Sequence, residues 1–317
     1  MKTSGYKFGN KNHWRKWLWN RICERVSETT VEKSDAVVVY LAGEEDLDRD
    51  VALRKGFRFN NLIAVDKSRK VIECLKKKKV PCLYGEISDV VEAFNNSKEK
   101  IDVLICDYCH GVNGNVSKFV DKLTSSNFDN SFGDSPIIAM NFMRGRDSGE
   151  IIDFRNNRRE SFASVFDEEK KEWRDPNAKD MVHRGEVFMD YMIEEHVMPK
   201  MDKKMIKKFG GEWNYKDFMI YVLDMFGHGD LFPEEWERQK LHRDIDSYEF
   251  HMNYTYNHFS PRFHSYRSGN IYMDSVIFTY DTSTMGEDLV ESAPNKKLSR
   301  SLAATLAVRT MRESGQL

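Results

Sequence analysis

The stretch Ala36–Asp48, AVVVYLAGEEDLD, decides the fold, because it joins an apolar run to a short loop rich in carboxylates. A run of this length and β-branched composition, followed by a glycine, predicts a buried strand that ends near Gly43. Four similar runs follow at Leu62–Val65, Pro81–Tyr84, Ile101–Cys106 and Pro136–Met140. Segments long enough for crossover helices separate them. The pattern predicts an α/β fold with a doubly wound, mostly parallel sheet that binds ligands at the carboxyl ends of its strands.

The rest of the chain divides into segments of different composition. Residues 1–31 predict a basic and aromatic helix, residues 32–144 and 248–281 the α/β domain, residues 145–247 a helical insertion, and residues 282–317 a C-terminal loop and helix. The alternation from Tyr248 to Tyr256 predicts a β-strand pattern. A turn at Ser268–Asn270 that joins Arg262–Arg267 to Ile271–Tyr280 predicts a C-terminal antiparallel hairpin. We therefore expect one enlarged domain rather than two independent folds.

Composition excludes several classes of protein. The 317 residues are 40% hydrophobic and 32% charged, which is typical of a soluble globular chain. The 49 basic and 51 acidic residues nearly balance, so a local basic patch is expected rather than a wholly basic surface. The longest apolar run, Ala36–Ala42, is far shorter than the ~20 residues of a membrane span. No secretory signal is recognisable and five cysteines are present, so we expect a cytoplasmic protein with free thiols.

Polar residues follow successive predicted strands. Four carboxylates lie within the five residues after Gly43, which disfavours a pyrophosphate and favours a cationic ligand such as an amine or a sulfonium. Asp66 ends the second strand, where an acidic side chain can accept hydrogen bonds from ribose hydroxyls. Glu86 follows the third strand, and Asp107 the fourth. These groups predict a ligand site along one edge of the sheet.

Taken in order, these strand ends resemble the class I S-adenosylmethionine-dependent methyltransferases. The matching positions are Tyr40–Gly43, Asp66, Gly85-Glu86, Asp107-Tyr108 and the hairpin around Tyr266–Asn270. The resemblance implies S-adenosylmethionine as cofactor. It also implies contacts from Tyr40 and from Gly43 under the methionine part, from Asp66 to the ribose, and from Glu86 and Ile87 to the adenine.

By the same resemblance, Asp107 and Tyr108 face the transferred methyl group and are the catalytic candidates. The first loop has a single glycine, and residues 107–110 lack the Asn/Asp-Pro-Pro-aromatic signature of enzymes that methylate amino groups of nucleic acids. A catalytically inactive binding or assembly module of the same fold is therefore an alternative. Methylation of a protein or a small molecule is a third interpretation.

Two basic segments predict nucleic acid as the leading substrate class. Arg144, Arg146 and Arg158 follow the fifth strand and can contact phosphates, although interspersed acidic residues equally predict a salt-bridged surface. In the N-terminal helix, Trp14 and Trp17 recur at helical spacing, with basic residues such as Arg15 on the other side. That helix either packs on the edge of the domain or forms a basic aromatic surface for nucleic acid.

Cysteine and histidine patterns are weaker signals. Cys106–His110 matches the C-x-x-C-H motif of haem attachment and could contribute to a zinc site, but a core cysteine followed by a loop is the favoured interpretation. Five histidines lie between His228 and His264 without an H-E-x-x-H pattern, which favours structural roles. No metal site is predicted.

Overall fold

The computed structural model describes residues 9–108, 110–111, 114–123, 130–144, 166–167, 172–173, 184–193, 259–268, 271–280 and 302–307. The chain divides into two compact units, one formed by residues 1–188 and 260–317 and the other by residues 189–259. The first unit holds the main sheet. Of the second unit, the structure describes only residues 189–193 and 259.

A seven-stranded sheet forms the centre of the first unit. Its strands are β1 (Val38–Leu41), β2 (Leu62–Asp66), β3 (Cys82–Tyr84), β4 (Ile101–Asp107), β5 (Phe132–Met143), β8 (Arg262–Ser268) and β9 (Ile271–Thr279), while β6 (Phe166–Asp167) and β7 (Glu172–Trp173) form a separate antiparallel pair. The order across the sheet is β3-β2-β1-β4-β5-β9-β8. The first five strands are parallel, and β9 and β8 are antiparallel. The predicted fold class and C-terminal hairpin are thus confirmed.

Helices alternate with the parallel strands, as the crossover rule requires. They are α1 (Gly9–Ser27), α2 (Leu47–Arg54), α3 (Arg69–Lys77), α4 (Ile87–Phe94), α5 (Gly114–Leu123) and α6 (Arg184–Tyr191), with a 3-10 turn at Phe59–Asn61. The chain reverses its direction of progress across the sheet between β1 and β4. In sheets of this kind, ligands bind outside the carboxyl ends of the strands at that reversal.

The N-terminal helix α1 packs against the sheet. Trp14, Trp19 and Ile22 are almost fully buried on its inner side. The Trp14 indole N–H donates to Ser275 Oγ at 2.7 Å, and its ring stacks on Tyr266 at 5.6 Å between centroids. Packing on the domain is therefore the correct interpretation of this helix.

Several predictions fall outside the described residues. These are most of the predicted helical insertion, the alternating pattern at 248–256, most of the predicted C-terminal loop and helix, and the side chains of Arg146 and Arg158. Within the predicted helical insertion, α6 agrees with the sequence, and the structure adds the β6–β7 pair. Residues 302–307 are helical, in agreement with the predicted C-terminal helix.

Candidate active site

A cavity of about 760 Å³ lies at the carboxyl ends of β1 to β4. Its wall includes all seven residues predicted for cofactor binding and catalysis: Tyr40, Gly43, Asp66, Glu86, Ile87, Asp107 and Tyr108. They come from four strand ends that lie beside one another because the strands are parallel. The sequence therefore predicted the location of this cavity.

The loop after β1 is open at its glycine. A Cβ atom at Gly43 would meet no atom within 4 Å, so the cavity extends to the backbone at this position. A ligand can approach the loop more closely there than it could beside a side chain.

The carboxylates of the same loop are largely neutralised, which corrects the prediction of an anionic loop. Arg49 Nε lies 2.6 Å from Asp46 Oδ2, and Lys70 Nζ lies 2.6 Å from Glu44 Oε1. Asp48 pairs with Arg15 of α1 at 3.2 Å. Arg15 is only 6% exposed, so its predicted place on the outer side of the helix was wrong. The loop is therefore less selective for cations than its composition indicated.

The Tyr40 hydroxyl fixes this loop through hydrogen bonds. It donates to Asp46 Oδ1 at 2.6 Å and accepts a hydrogen bond from Arg49 at 2.8 Å. Arg49 also donates to the Leu62 carbonyl at 2.8 Å, which ties the loop to β2. Burial is the main cause that raises the pKa of Tyr40 well above its usual value, so the phenol remains protonated. Tyr40 thus borders the cavity while its hydroxyl is held by protein groups.

Asp66 and Glu86 occupy neighbouring positions on the cavity wall. Asp66 accepts the Ser68 backbone N–H at 2.6 Å, which fixes the carboxylate at the end of β2. Burial raises the pKa of Asp66, and the nearby Glu86 raises it further. Glu86 is exposed and pairs with Lys67 at 3.2 Å, whereas Ile87 adds a buried apolar surface at the start of α4. Carboxylate acceptors therefore lie beside an apolar wall.

Asp107 is held on both carboxylate oxygens. Lys11 Nζ lies 2.6 Å from Oδ2, and the Asn141 side-chain amide donates to Oδ1 at 2.6 Å. Asn141 in turn accepts from Ser275, the residue that Trp14 contacts. This hydrogen-bonded chain connects α1, β9, β5 and β4 to the cavity. The position of the Asp107 carboxylate is accordingly fixed by its protein partners.

Tyr108 and His110 lie on the wall next to Asp107. Tyr108 is 8% exposed, and burial raises its pKa well above the usual value, so it is a neutral phenol at physiological pH. The His110 ring lies 5.0 Å from the Tyr108 ring, and its Nδ1 is 2.8 Å from the Gly111 carbonyl oxygen. Because a carbonyl oxygen only accepts, Nδ1 carries a proton in this contact.

Sequence reasoning missed several residues of the cavity wall, among them His110, Lys11 and Arg15. His110 was assigned to a loop, although its position directly after the fourth strand was an available signal. Lys11 and Arg15 reach the cavity from α1. No local pattern in the sequence indicates that α1 crosses this part of the sheet.

Arg144, predicted to bind substrate, is not part of the cavity wall. Its Nε and a terminal nitrogen lie 2.6 and 2.7 Å from the two oxygens of Asp274, which is fully buried. The Arg184 backbone N–H donates to the same carboxylate at 2.9 Å. This geometry gives Arg144 a structural ion pair in the antiparallel part of the sheet.

The favoured interpretation of Cys106 as a core residue is confirmed. It is fully buried, and burial raises the pKa of its thiol to about 12, which opposes a thiolate metal ligand. Within the described residues, no three histidine, cysteine, aspartate or glutamate side chains are grouped so that they could hold a metal ion. The described helices also include none that is long and apolar enough to span a membrane.

Comparisons with known proteins give fold similarity at low sequence identity. No protein-family profile and no curated protein matches the sequence. The plantazolicin methyltransferase BamL, solved with S-adenosylhomocysteine (SAH), is 11% identical, with a TM-score of 0.35 over 86% of this chain and 87% of that chain. Coclaurine N-methyltransferase, solved with N-methylheliamine and SAH, is 12% identical, with a TM-score of 0.35 over 84% of this chain and 72% of that chain. The Methanococcus jannaschii fibrillarin pre-rRNA processing protein is 15% identical, with a TM-score of 0.26 over 42% of this chain and 56% of that chain.

These proteins differ in the molecules that their names mention. At such identities and TM-scores they assign neither an activity nor an acceptor to this chain. The fold class rests on the strand order, which has the predicted mostly parallel sheet and closing antiparallel hairpin.

Proposed function

We propose that the cavity binds S-adenosylmethionine and that the protein transfers the cofactor's methyl group to a nucleic acid in the cytoplasm. The observation that carries the proposal is the convergence of Gly43, Asp66, Glu86 and Asp107 on one cavity at the strand reversal. Four separate strand ends contribute these residues, so chance surface exposure of a single acidic loop does not explain the cluster.

The residues of the cavity fit this cofactor. A volume of about 760 Å³ lies within the usual range of small-molecule sites. Gly43 leaves its space open, and Asp66 offers carboxylate oxygens for ribose hydroxyls. Ile87 gives an apolar surface for a base, next to the Glu86 carboxylate. The neutralised loop after β1 is compatible with a ligand that carries both charges, as the amino acid part of the cofactor does.

When bound, the cofactor would supply a methyl group on a sulfonium, and the neutral thioether of SAH is a good leaving group. The protein must then align the acceptor and remove its proton. Asp107 is oriented by Lys11 and Asn141, so it can fix the position of a donor group on the acceptor. Tyr108 remains neutral and can stack or donate a hydrogen bond, and the His110 imidazole is the proton acceptor in this proposal.

Nucleic acid as acceptor is supported by the cations at the cavity. Lys118 is exposed on the wall, and Lys67 and Lys122 line it as well. Lysines beside a cavity can contact phosphates and direct the chain of a polynucleotide towards it. The predicted phosphate contacts of Arg146 and Arg158 are part of the same proposal.

The test uses cofactor labelled on its methyl group, incubated with separate RNA, DNA, protein and small-molecule pools. We expect label in RNA or DNA and a loss of about 100-fold in rate for His110→Gln, because a positioned general base contributes about that much or more. SAH binding by calorimetry should be unchanged in that variant. Label in protein alone would overturn the nucleic acid assignment.

A second candidate function is a binding module without catalysis. It is favoured by one observation: both oxygens of Asp107 are occupied by protein groups. SAH binding without methyl transfer to any pool would select this candidate. Absence of SAH binding at millimolar ligand would overturn the methyltransferase proposal and leave this candidate.

A further inference from the structure

The segment that contains α3 is strongly basic. Residues 67–79 contain seven basic side chains and one acidic one, in a chain with a net charge of -2. The basic residues are Lys67, Arg69, Lys70, Lys76, Lys77, Lys78 and Lys79, and all of them are exposed. Ile72 and Leu75 face inward, so the helix keeps an apolar side on the sheet while its outer sides are basic.

This basic surface, Lys67–Lys79 with Tyr84, begins at the cavity. Lys67 lines the cavity wall, and Lys70 contacts Glu44 of the loop after β1. Arg69 lies in the first turn of α3, and the other four lysines lie at its C-terminal end. A polyanion that enters the cavity can therefore reach cations at both ends of this helix.

An exposed aromatic ring lies within the same surface. Tyr84, the last residue of strand β3, is 46% exposed. The Arg69 guanidinium lies 5.7 Å from the centre of its ring. A tyrosine and an arginine at such a distance form the kind of platform on which an unpaired base stacks, whereas a lipid surface or a duplex has no exposed base for it.

The end of α3 keeps a basic residue where the backbone favours glycine. Lys79 has a φ of 58°, and its N–H bonds to the Lys76 carbonyl while the Val80 N–H bonds to the Leu75 carbonyl. This is the Schellman arrangement, in which the left-handed residue is usually glycine. Two lysines in the last turn complement the helix dipole, but that effect does not require a further lysine at this position.

We propose that this basic surface binds single-stranded nucleic acid and holds it next to the cavity. The proposal deepens the proposed function, on which its biological meaning rests. Lysines and Arg69 contact phosphates, and the Arg69–Tyr84 pair stacks on a base. Binding here is separate from cofactor binding, since the tested residues below do not line the cavity.

The test measures anisotropy of a fluorescein-labelled single-stranded RNA of about 16 nucleotides over a range of salt concentrations. We expect the variant Lys76→Gln, Lys77→Gln, Lys79→Gln to bind at least tenfold more weakly, with a slope of log affinity against log salt reduced by about two. The matched control, Lys16→Gln, Arg54→Gln, Lys98→Gln, removes the same charge from exposed positions elsewhere. It should bind as the unmodified protein does, and an equal loss in both variants would overturn the proposal.

A second pair of variants tests the stacking platform. Tyr84→Ala should weaken binding about tenfold, while Tyr84→Phe keeps the ring and should retain affinity. Equal affinity of both variants would overturn the assignment to unpaired bases. Stronger binding of the same surface to duplex RNA or to anionic phospholipid vesicles than to single strands would also overturn it.

Calorimetry with SAH on the same proteins separates this proposal from the proposed function. The surface variants should bind SAH like the unmodified protein, whatever happens to RNA affinity. If no protein binds SAH but RNA affinity depends on the surface residues as stated, the cofactor proposal fails and the surface proposal stands. If SAH binds but RNA does not, the surface proposal is overturned.

Discussion

The two parts of the main sheet use similar residues for different purposes. In the parallel part, Asp66 and Glu86 line a cavity. In the antiparallel part, Asp274 is fully buried and bound by Arg144, Ser265 and the Arg184 backbone. Residue type alone therefore does not identify a binding group. The difference is that Asp66 and Glu86 lie at or just after strand ends beside the cavity, whereas Asp274 lies within β9.

The same lesson applies to the tryptophans. Trp14 looked suited to stacking on nucleic acid, yet it is buried and donates to Ser275. Tyr84 was predicted only as the last residue of a strand, yet it is one of the large hydrophobic side chains that are exposed. An aromatic residue on a long amphipathic helix is usually core, whereas one at the end of an edge strand is left open.

The largest effect is expected at Gly43, in the parallel part. Gly43→Leu should weaken SAH binding at least about 100-fold, roughly 3 kcal/mol, because the side chain would fill the ligand's space while meeting no protein atom at its Cβ. Calorimetry measures the affinity, and circular dichroism checks the fold.

Gly56 provides the control for that substitution. It has a φ of 97° and is not part of the cavity wall. Gly56→Ala should cost about 1 kcal/mol of stability through backbone strain and leave SAH affinity unchanged. Unchanged SAH binding in Gly43→Leu would contradict the location of the cofactor.

The next effect is expected in the antiparallel part and concerns stability. Arg144→Gln should lower the free energy of unfolding by about 3 kcal/mol, because the buried Asp274 carboxylate loses its bidentate partner. Urea unfolding measures this, and SAH affinity should not change. A stable variant with impaired RNA methylation would instead make Arg144 the substrate contact predicted from sequence.

These contrasts define what the sequence could predict. The strands β1 to β4 were recognisable because each is a short apolar run, and their polar ends had to meet because parallel strands share one edge. The Trp14–Ser275 contact joins residues separated by 261 positions, and the Arg144–Asp274 pair by 130. No periodicity encodes such pairs, so the role of α1 and the engagement of Arg144 could not be foreseen.

Lys11 allows a smaller test of the link between the two parts. Lys11→Met should weaken SAH binding about tenfold, because Asp107 loses one charged partner and its position at the cavity. Lys16→Met, an exposed position on the same helix, is the matched control and should have no effect. Equal affinities of the two variants would show that α1 does not organise the site.

The smallest effect is a pH dependence set by Asp66. An ordinary aspartate has a pKa of about 3.9. Burial raises the pKa of Asp66 in the free protein, so its carboxylate takes up a proton at a higher pH than an ordinary aspartate does. If the ionised form accepts hydrogen bonds from the cofactor, SAH affinity should be constant above the raised pKa and fall several-fold as the pH decreases through it. Asp66→Asn should bind more weakly and lose that part of the pH dependence. A profile identical to that of the unmodified protein would exclude Asp66 from the contact.

The raised pKa of Asp66 also determines how the free energy of unfolding changes with pH. Because the folded-state pKa lies above the unfolded one, ionisation of Asp66 costs folding free energy. Its contribution therefore becomes less favourable as the pH rises from the unfolded pKa through the folded one. Urea unfolding of Asp66→Asn against the unmodified protein over that range should reveal the difference.

A crystal structure with SAH tests the central claim most directly. We predict one SAH molecule in the cavity, with its amino acid part against Gly43 and its ribose hydroxyls within hydrogen-bonding distance of the Asp66 carboxylate. SAH bound elsewhere, or a cavity that stays empty when the ligand is present at saturating concentration, would contradict the account.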